Sequence, residues 1–218
     1  MNTIYAENNN AVVVGTMASE LQFSHEVYGE KFFFFKLSIP RLSDTADIIV
    51  ITISERFFPQ LDLTIGKHFM IKGQFRSYNN FSNIGNKLIL TIFVKEIKEV
   101  EDANACPNPN SIFLNGYICK PPIYRTTPFG REIADILLAV NRSYNKSDYI
   151  PCIAWGRNAK FSQCLEIGSK LKVWGRIQSR EYQKKVDEET VETKTAYEIS
   201  VSKLEIDRDS DLSSTDDK

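Results

Sequence analysis

Apolar residues in this chain recur mostly at every second position, in short runs broken by Gly, Pro, Asn and Asp, which is the spacing of β-strands. Ala11 to Gly15 is a short apolar run ending in Gly and predicts a strand. Lys31 to Ile39 sets Phe32, Phe34, Lys36 and Ser38 on one face against Phe33, Phe35, Leu37 and Ile39 on the other. Ile48 to Ile53 is β-branched. Arg56 to Ile65 reads as a short helix or loop, Phe69 to Tyr78 as a strand interrupted by Gly73, and Leu88 to Ile97 as a cleanly alternating strand. Turn formers over Asn79 to Asn86 predict a hairpin loop between the last two.

After a polar, turn-rich stretch from Asp102 to Asn110, with Pro107 and Pro109, the pattern begins again. Strands are predicted over Ile112 to Ile118, Ile133 to Asn141, Tyr149 to Trp155, Leu171 to Tyr182 and Thr195 to Leu204. Asn158 to Leu165 is long enough for about two helical turns, and Asp187 to Glu192 is a charged hairpin tip. The halves match at an offset of about 101 residues: Gly15 with Gly116, Gly29 with Gly130, Arg41 with Arg142, Arg56 with Arg157. One residue of slippage then aligns Gly66 with Gly168, Gly73 with Gly175 and Ser77 with Ser179. This is the mark of an internal duplication. Five strands with a helix between the third and fourth fit a small Greek-key barrel, the OB fold. The expected architecture is all-β, with two tandem five-stranded OB barrels. The expected division is residues 1–101, a linker at 102–110, a second barrel at 111–206 and an acidic tail at 207–218, disordered by composition.

The stretch from Ser147 to Arg157 carries the most chemical information. Ile150, Cys152 and Ala154 form a small apolar face suited to a core. Tyr149, Pro151, Ile153 and Trp155 form the opposite face, with Arg157 following on that side. The two rings stand roughly 20 Å apart at about 3.3 Å per residue. Two flat rings and a cation on one exposed face make a platform for nucleobases. Ordinary half-buried sheet residues would give the same pattern. In the fourth strand Trp174, Arg176, Gln178, Arg180 and Tyr182 share a face that mixes ring and cation. Trp174 also suits packing beneath a hairpin.

Composition adds limits. The formal net charge of the 218 residues is -1, so bulk charge announces no polyanionic partner. Its distribution is uneven: residues 111–206 hold 15 Lys and Arg against 11 Asp and Glu, a net of about +4, whereas 207–218 hold two against five. Four widely spaced cysteines without a C-x-x-C pair, and two histidines, fit neither a zinc site nor a disulfide framework. Reduced thiols, no metal and no cofactor are expected. No apolar run approaches a membrane span and no signal-peptide core is visible, so a soluble intracellular protein is expected. No Gly-rich phosphate loop, nucleophile elbow or metal cluster appears, so no enzyme activity is expected.

Several stretches of the second half, in order, carry a family likeness: Leu114-Asn-Gly-Tyr, Pro122-Ile-Tyr-Arg-Thr-Thr-Pro-Phe-Gly130, Leu138-Ala-Val-Asn-Arg142, Asp148-Tyr-Ile-Pro-Cys-Ile-Ala-Trp-Gly-Arg-Asn-Ala159 and Gly175-Arg-Ile-Gln-Ser-Arg-Glu-Tyr182. Over about 90 residues the chain resembles the bacterial single-stranded DNA-binding protein family. In that family four aromatic positions on the barrel stack DNA bases. By resemblance they fall on Tyr144, Tyr149, Trp155 and Tyr182, all aromatic here. Arg125, Arg131, Arg142, Arg157, Lys160, Arg176, Arg180, Lys184 and Lys185 are the phosphate candidates. Each of these taken alone is read as a solvated surface charge.

The resemblance implies sequence-tolerant binding and protection of single-stranded DNA in replication, recombination or repair. It also implies a bacterial cytoplasmic, nucleoid-associated location and a homodimer supplying four barrels. A primosome-like or RNA-binding OB protein and a protein-interaction OB module are the competing readings. The first half departs from the family, since its matching positions fall near Ser43, Ile48, Ser54 and Asn80 or Phe81. It is expected to be a scaffold or subunit-contact domain, with weak or different DNA contact through Phe57, Phe58, Tyr78 or Phe81. The tail ends Thr-Asp-Asp-Lys without the apolar tip by which family tails recruit partner enzymes, so no recruitment by that route is expected.

Overall fold

The computed structural model describes residues 8–41, 43, 45–79, 88–185 and 191–208; at 79, 184, 185, 191 and 192 it describes the backbone only. All but the first residue of the expected hairpin loop at 79–86, most of the charged tip at 187–192 and the tail beyond 208 therefore lie outside the described residues. The chain divides into two compact units. The leading unit takes Ala11–Ser111 and Ile177–Glu198; the trailing unit takes Ile112–Arg176, with Met1–Asn10 and Ile199–Lys218.

The leading unit is built from β1 (Asn9–Met17), β2 (Gln22–Val27), β3 (Glu30–Pro40), β4 (Ala46–Ser54), β5 (His68–Asn79) and β6 (Leu88–Val100). β1 pairs with β3 and β5, β3 with β4, β4 with β6 in parallel, and β6 with β5, so five strands close on themselves. β2 is added at the edge of β3. The alternation in β3 and β4 drives this closure: Phe35, Leu37, Ile39, Ile49, Ile51 and Ile53 all point inward and are fully buried, with Phe69 and Phe75 from β5. Between β4 and β5 stands a 3-10 helix, Glu55–Gln60, with the Ser54 side chain accepting from the Arg56 N–H at its start.

The same unit holds the outer part of the last hairpin by a buried polar clamp. Asp47, 1% exposed, accepts two hydrogen bonds from Arg41, at 2.5 and 2.8 Å. It accepts a third from the Ser179 N–H at 2.8 Å. The Ile48 N–H donates to Ser179 Oγ at 2.9 Å. Nearby, the Asn110 side chain bonds both the N–H and the carbonyl of Ile177, at 2.9 and 2.6 Å, in the manner of one more strand residue.

The trailing unit repeats the plan with β7 (Asn110–Ile118), β8 (Ile123–Thr126), β9 (Glu132–Arg142), β10 (Lys146–Trp155), α1 (Arg157–Ser162), β11 (Lys170–Lys185) and β12 (Val191–Ile206). β7 pairs with β9 and β11, β9 with β10, and β10 with β12 in parallel; β11 and β12 complete the ring, and β8 is added to β9. Leu114, Ile118, Leu138, Ile150, Ala154, Leu171, Val173 and Ile199 fill the interior. A Cβ on Gly73 or Gly175 would collide with the backbone carbonyl of Phe93 or Ser200. Glycine therefore stands there because the facing strand lies too close for any side chain.

Both units are all-β OB barrels. β2 and β8 are strands that periodicity did not announce, because each is an edge strand with no buried residue to mark it. The connection at 102–110 contains one 3-10 turn, Ala103–Ala105, capped by Asp102, with Ala103 buried. No helix among the described residues is long and apolar enough to cross a membrane.

Candidate nucleic-acid interface

The surface of interest grows from β10. Its inner face is Ile150, Cys152 and Ala154, all buried, which turns Tyr149 and Trp155 outward. They are 48% and 38% exposed. Ile153 lies between them at only 7%, so the rings flank an apolar floor. The hairpin joining β9 and β10 carries Tyr144, almost fully exposed. Tyr144 and Asn145 both have left-handed backbone angles, φ 63° and 53°, which tightly join two strands at a cost of about 1 kcal/mol each. Tyr28 takes the same conformation, φ 51°, in the turn between β2 and β3 of the leading unit.

Cations surround these rings with different degrees of freedom. Arg125 lies opposite Ile133, as does Trp155 on the other side, so Arg125 and Trp155 share one face. Arg125 is ion-paired to Asp135 at 3.0 Å. Arg131 and Arg157 are exposed. Lys160 reaches Glu132 at 3.1 Å, and Tyr124 donates to the same carboxylate at 2.8 Å. The Tyr124 hydroxyl first, and then Lys160, hold the Glu132 carboxyl below its ordinary range. Arg142 is turned toward buried Asp148 at 3.7 Å, at the root of the Tyr144 hairpin. Its place is that of an anchor for the hairpin.

Trp174 lies on the outer face of β11, half-buried, its ring 5.2 Å from Phe113 and capped by Lys203 Nζ at 4.8 Å. Arg176 follows two residues on, half-buried on the same face. Arg180 and Tyr182 belong to the outer hairpin and hence to the leading unit. There Arg180 is exposed, 5.9 Å from the half-buried Tyr182 ring and 3.9 Å from Glu198. The side chains of Lys184 and Lys185 lie outside the described residues. Of the four expected stacking aromatics, the trailing unit thus holds Tyr144, Tyr149 and Trp155, and the leading unit holds Tyr182.

In the leading unit three of the positions matching the rings, Ser43, Ile48 and Ser54, are aliphatic or small and the fourth, Asn80 or Phe81, lies outside the described residues, but the outer face is not bare. Arg76 stacks on Phe93 at 3.9 Å, held flat by two bonds to Gln74 Oε1. His25 stacks on Phe32 at 4.9 Å. The protein's own planar groups cover these rings. Of the contact residues expected there, Phe58 packs on Phe33 at 5.1 Å, Phe57 lies beneath Arg56 at 4.9 Å, Tyr78 is half-buried, and Phe81 lies outside the described residues. Several exposed aromatics are not singled out by the sequence, among them Tyr28 in the leading unit, fully exposed, and Phe129 in the trailing unit at 91%. The signal for Phe129 was the Pro-Phe-Gly turn, which marks a ring that no core can claim.

The class this geometry defines is an OB-fold protein with solvent-exposed rings and cations on the outer wall of one barrel, the arrangement used for unpaired nucleobases. The sequence model of the Single-strand binding protein family matches residues 109–207. "Single-stranded DNA-binding protein 1" of Staphylococcus aureus is 40% identical over 81 residues, covering 34% of this chain and 48% of that protein. "Single-stranded DNA-binding protein B" of Bacillus subtilis is 36% identical, with 34% of this chain and 72% of that protein covered. The chain belongs to the single-strand binding protein family. It spans about half the length of the first of these relatives. The fold is also that of the wild-type single-stranded DNA binding protein from Thermus aquaticus, at TM-score 0.69 and 18% identity over 91% of this chain and 92% of that one.

Proposed function

We propose that the protein binds single-stranded DNA with little sequence preference and shields it, without catalysis. The observation that carries this reading is the outward pair Tyr149 and Trp155 on β10, in the barrel the family model matches. A single strand exposes the faces of its bases, and stacking on an aromatic contributes about 1–3 kcal/mol per base whatever the base. Tyr144 extends the stacking track at the hairpin. Arg131 and Arg157, both exposed, supply phosphate contacts directly, and Arg176 adds one from the outer face of β11. Arg125 and Lys160 do so after giving up exposed carboxylate partners, an exchange that costs about 0–1 kcal/mol. Tyr182, Arg180, Lys184 and Lys185, on the outer hairpin of the leading unit, are further candidate contacts for single-stranded DNA. Replication, recombination or repair is the setting this activity serves, in a bacterial cytoplasm, with a homodimer presenting four barrels.

The test is a titration of the Trp174→Phe protein with oligo-dT and with duplex of equal length, at two salt concentrations. The remaining tryptophan, Trp155, reports the contact. Quenching by the single strand alone, weakened by salt, supports the reading. Equal response to duplex, or none to either, rejects it.

A further inference from the structure

β8 and β9 are joined by the turn Thr127 to Arg131, which is unusually well held for an exposed loop. The Thr127 N–H donates to the Arg131 carbonyl at 2.8 Å, and the Gly130 N–H to the Thr127 carbonyl at 2.9 Å. The Arg131 N–H donates to Thr127 Oγ1 at 3.1 Å. Gly130 takes φ +74°, and Pro128 fixes its own φ. At the tip stands Phe129, 91% exposed. A lone exposed hydrophobic residue needs no explanation. This one differs by its mounting and by its position.

The position follows from strand register. Arg125 and Trp155 both lie opposite Ile133, and one step further the Gly156 N–H donates to the Glu132 carbonyl at 3.0 Å. The turn therefore extends the sheet just past the end of β10 that carries Trp155. Arg131 and Arg157, both exposed, stand beside that end: Arg131 precedes Glu132, and Arg157 follows Gly156. Tyr144 occupies the opposite end of the same hairpin pair. The line of rings from Tyr144 through Tyr149 and Trp155 thus continues to Phe129, with two cations at hand for phosphates. A ring on a turn already fixed by three hydrogen bonds loses little further conformational freedom on stacking, and that favours affinity.

We infer that Phe129 is an additional base-stacking residue, which extends the track for an unpaired nucleic acid strand beyond Trp155, with Arg131 and Arg157 holding the adjoining phosphates. This rests on the single-strand binding proposed above. Oligo-dT affinity of the full chain is compared for the natural sequence, Phe129→Ala, Phe129→Trp and Trp155→Ala. Phe129→Ala is expected to weaken binding about 5- to 150-fold, the loss of one aromatic stack, while Phe129→Trp retains it. In a background of Trp155→Phe and Trp174→Phe, emission from the Phe129→Trp protein is expected to fall on strand addition. If Trp155→Ala weakens binding and Phe129→Ala does not, the inference fails while the wider reading stands. If neither folded variant loses affinity, the wider reading fails with it. If Phe129→Ala instead lowers self-association in sedimentation with strand affinity unchanged, the tip is a protein contact and the inference is overturned.

Discussion

Replacing Asp47 with Ala removes the centre of the buried clamp on Ser179. Three bonds go at once: two from Arg41 and one from the Ser179 N–H. Breaking a buried ion pair by deleting one partner costs about 3–5 kcal/mol, because the other partner is left uncompensated. The Arg41 side chain is 29% exposed and regains some water, which places the loss near the lower bound, about 3 kcal/mol. Ser179→Ala removes only the acceptor of the Ile48 N–H, for about 1 kcal/mol. Urea unfolding of the full chain gives both magnitudes. Amide hydrogen exchange gives the location: the Ser179 amide is expected to exchange faster in Asp47→Ala. The Ile177 amide, held by Asn110 Oδ1 at 2.9 Å, is expected to stay protected. A stability loss below about 1 kcal/mol with unchanged Ser179 exchange would refute the clamp.

Three further outcomes are expected. Tyr149→Ala and Trp155→Ala are each expected to weaken oligo-dT binding by about 1–3 kcal/mol, and to add within about 0.5 kcal/mol because the rings stand too far apart to share a base; fluorescence anisotropy of a labelled strand reads this, with circular dichroism confirming the fold. Gly175→Ala drives a Cβ into the Ser200 carbonyl and is expected to destabilise by about 1–3 kcal/mol, seen as a lower Tm. The Asp207 carboxylate is held well below its ordinary range, first by Lys172 at 2.9 Å and then by Asn115 at 2.8 Å, with Lys170 at 3.1 Å. A depressed carboxylate stabilises the folded state above the ordinary value of about 3.9 and loses that contribution as pH falls below it. Asp207→Asn is therefore expected to flatten the acid limb of the stability profile between about pH 5 and pH 2, measured by urea unfolding at each pH.

Strands with one buried face were legible because burial writes a period of two into the sequence. β3 and β10 are legible this way, and the inner face of β10 lies where alternation places it; β4 is legible instead as a β-branched run. β2 and β8 bury nothing and left no such mark. The aromatic face of β10 was legible for the same reason in reverse, since Tyr149 and Trp155 interrupt a pattern the core would fill with aliphatics. Ion pairing was not legible. Nothing in the spacing said that Arg142 turns to Asp148, or that Trp174 packs on Phe113, because those contacts join residues by register and rotamer. Phe129 is not legible for a related reason: a ring inside a turn signal reads as punctuation.

The duplication can be argued further from register than from sequence matches. Thr16 faces Ser38 and Tyr117 faces Ala139; Met17 faces Leu37 and Ile118 faces Leu138. Pro40 faces Ala46 and Asn141 faces Ser147, and the parallel closures pair Ile51 with Ile92 and Cys152 with Ile199. The Arg41–Asp47 and Arg142–Asp148 pairs recur with the same spacing. A register slip of one residue would turn every buried side chain outward, so the barrel interior holds the pairing fixed while sequence drifts. The outer wall is under no such constraint. There Ile48 stands for Tyr149 and Ser54 for Trp155, and the leading barrel stacks its own Arg76 and His25 on its rings. Divergence concentrated on one face of an otherwise repeated scaffold is what different ligand duties on the two walls would leave behind.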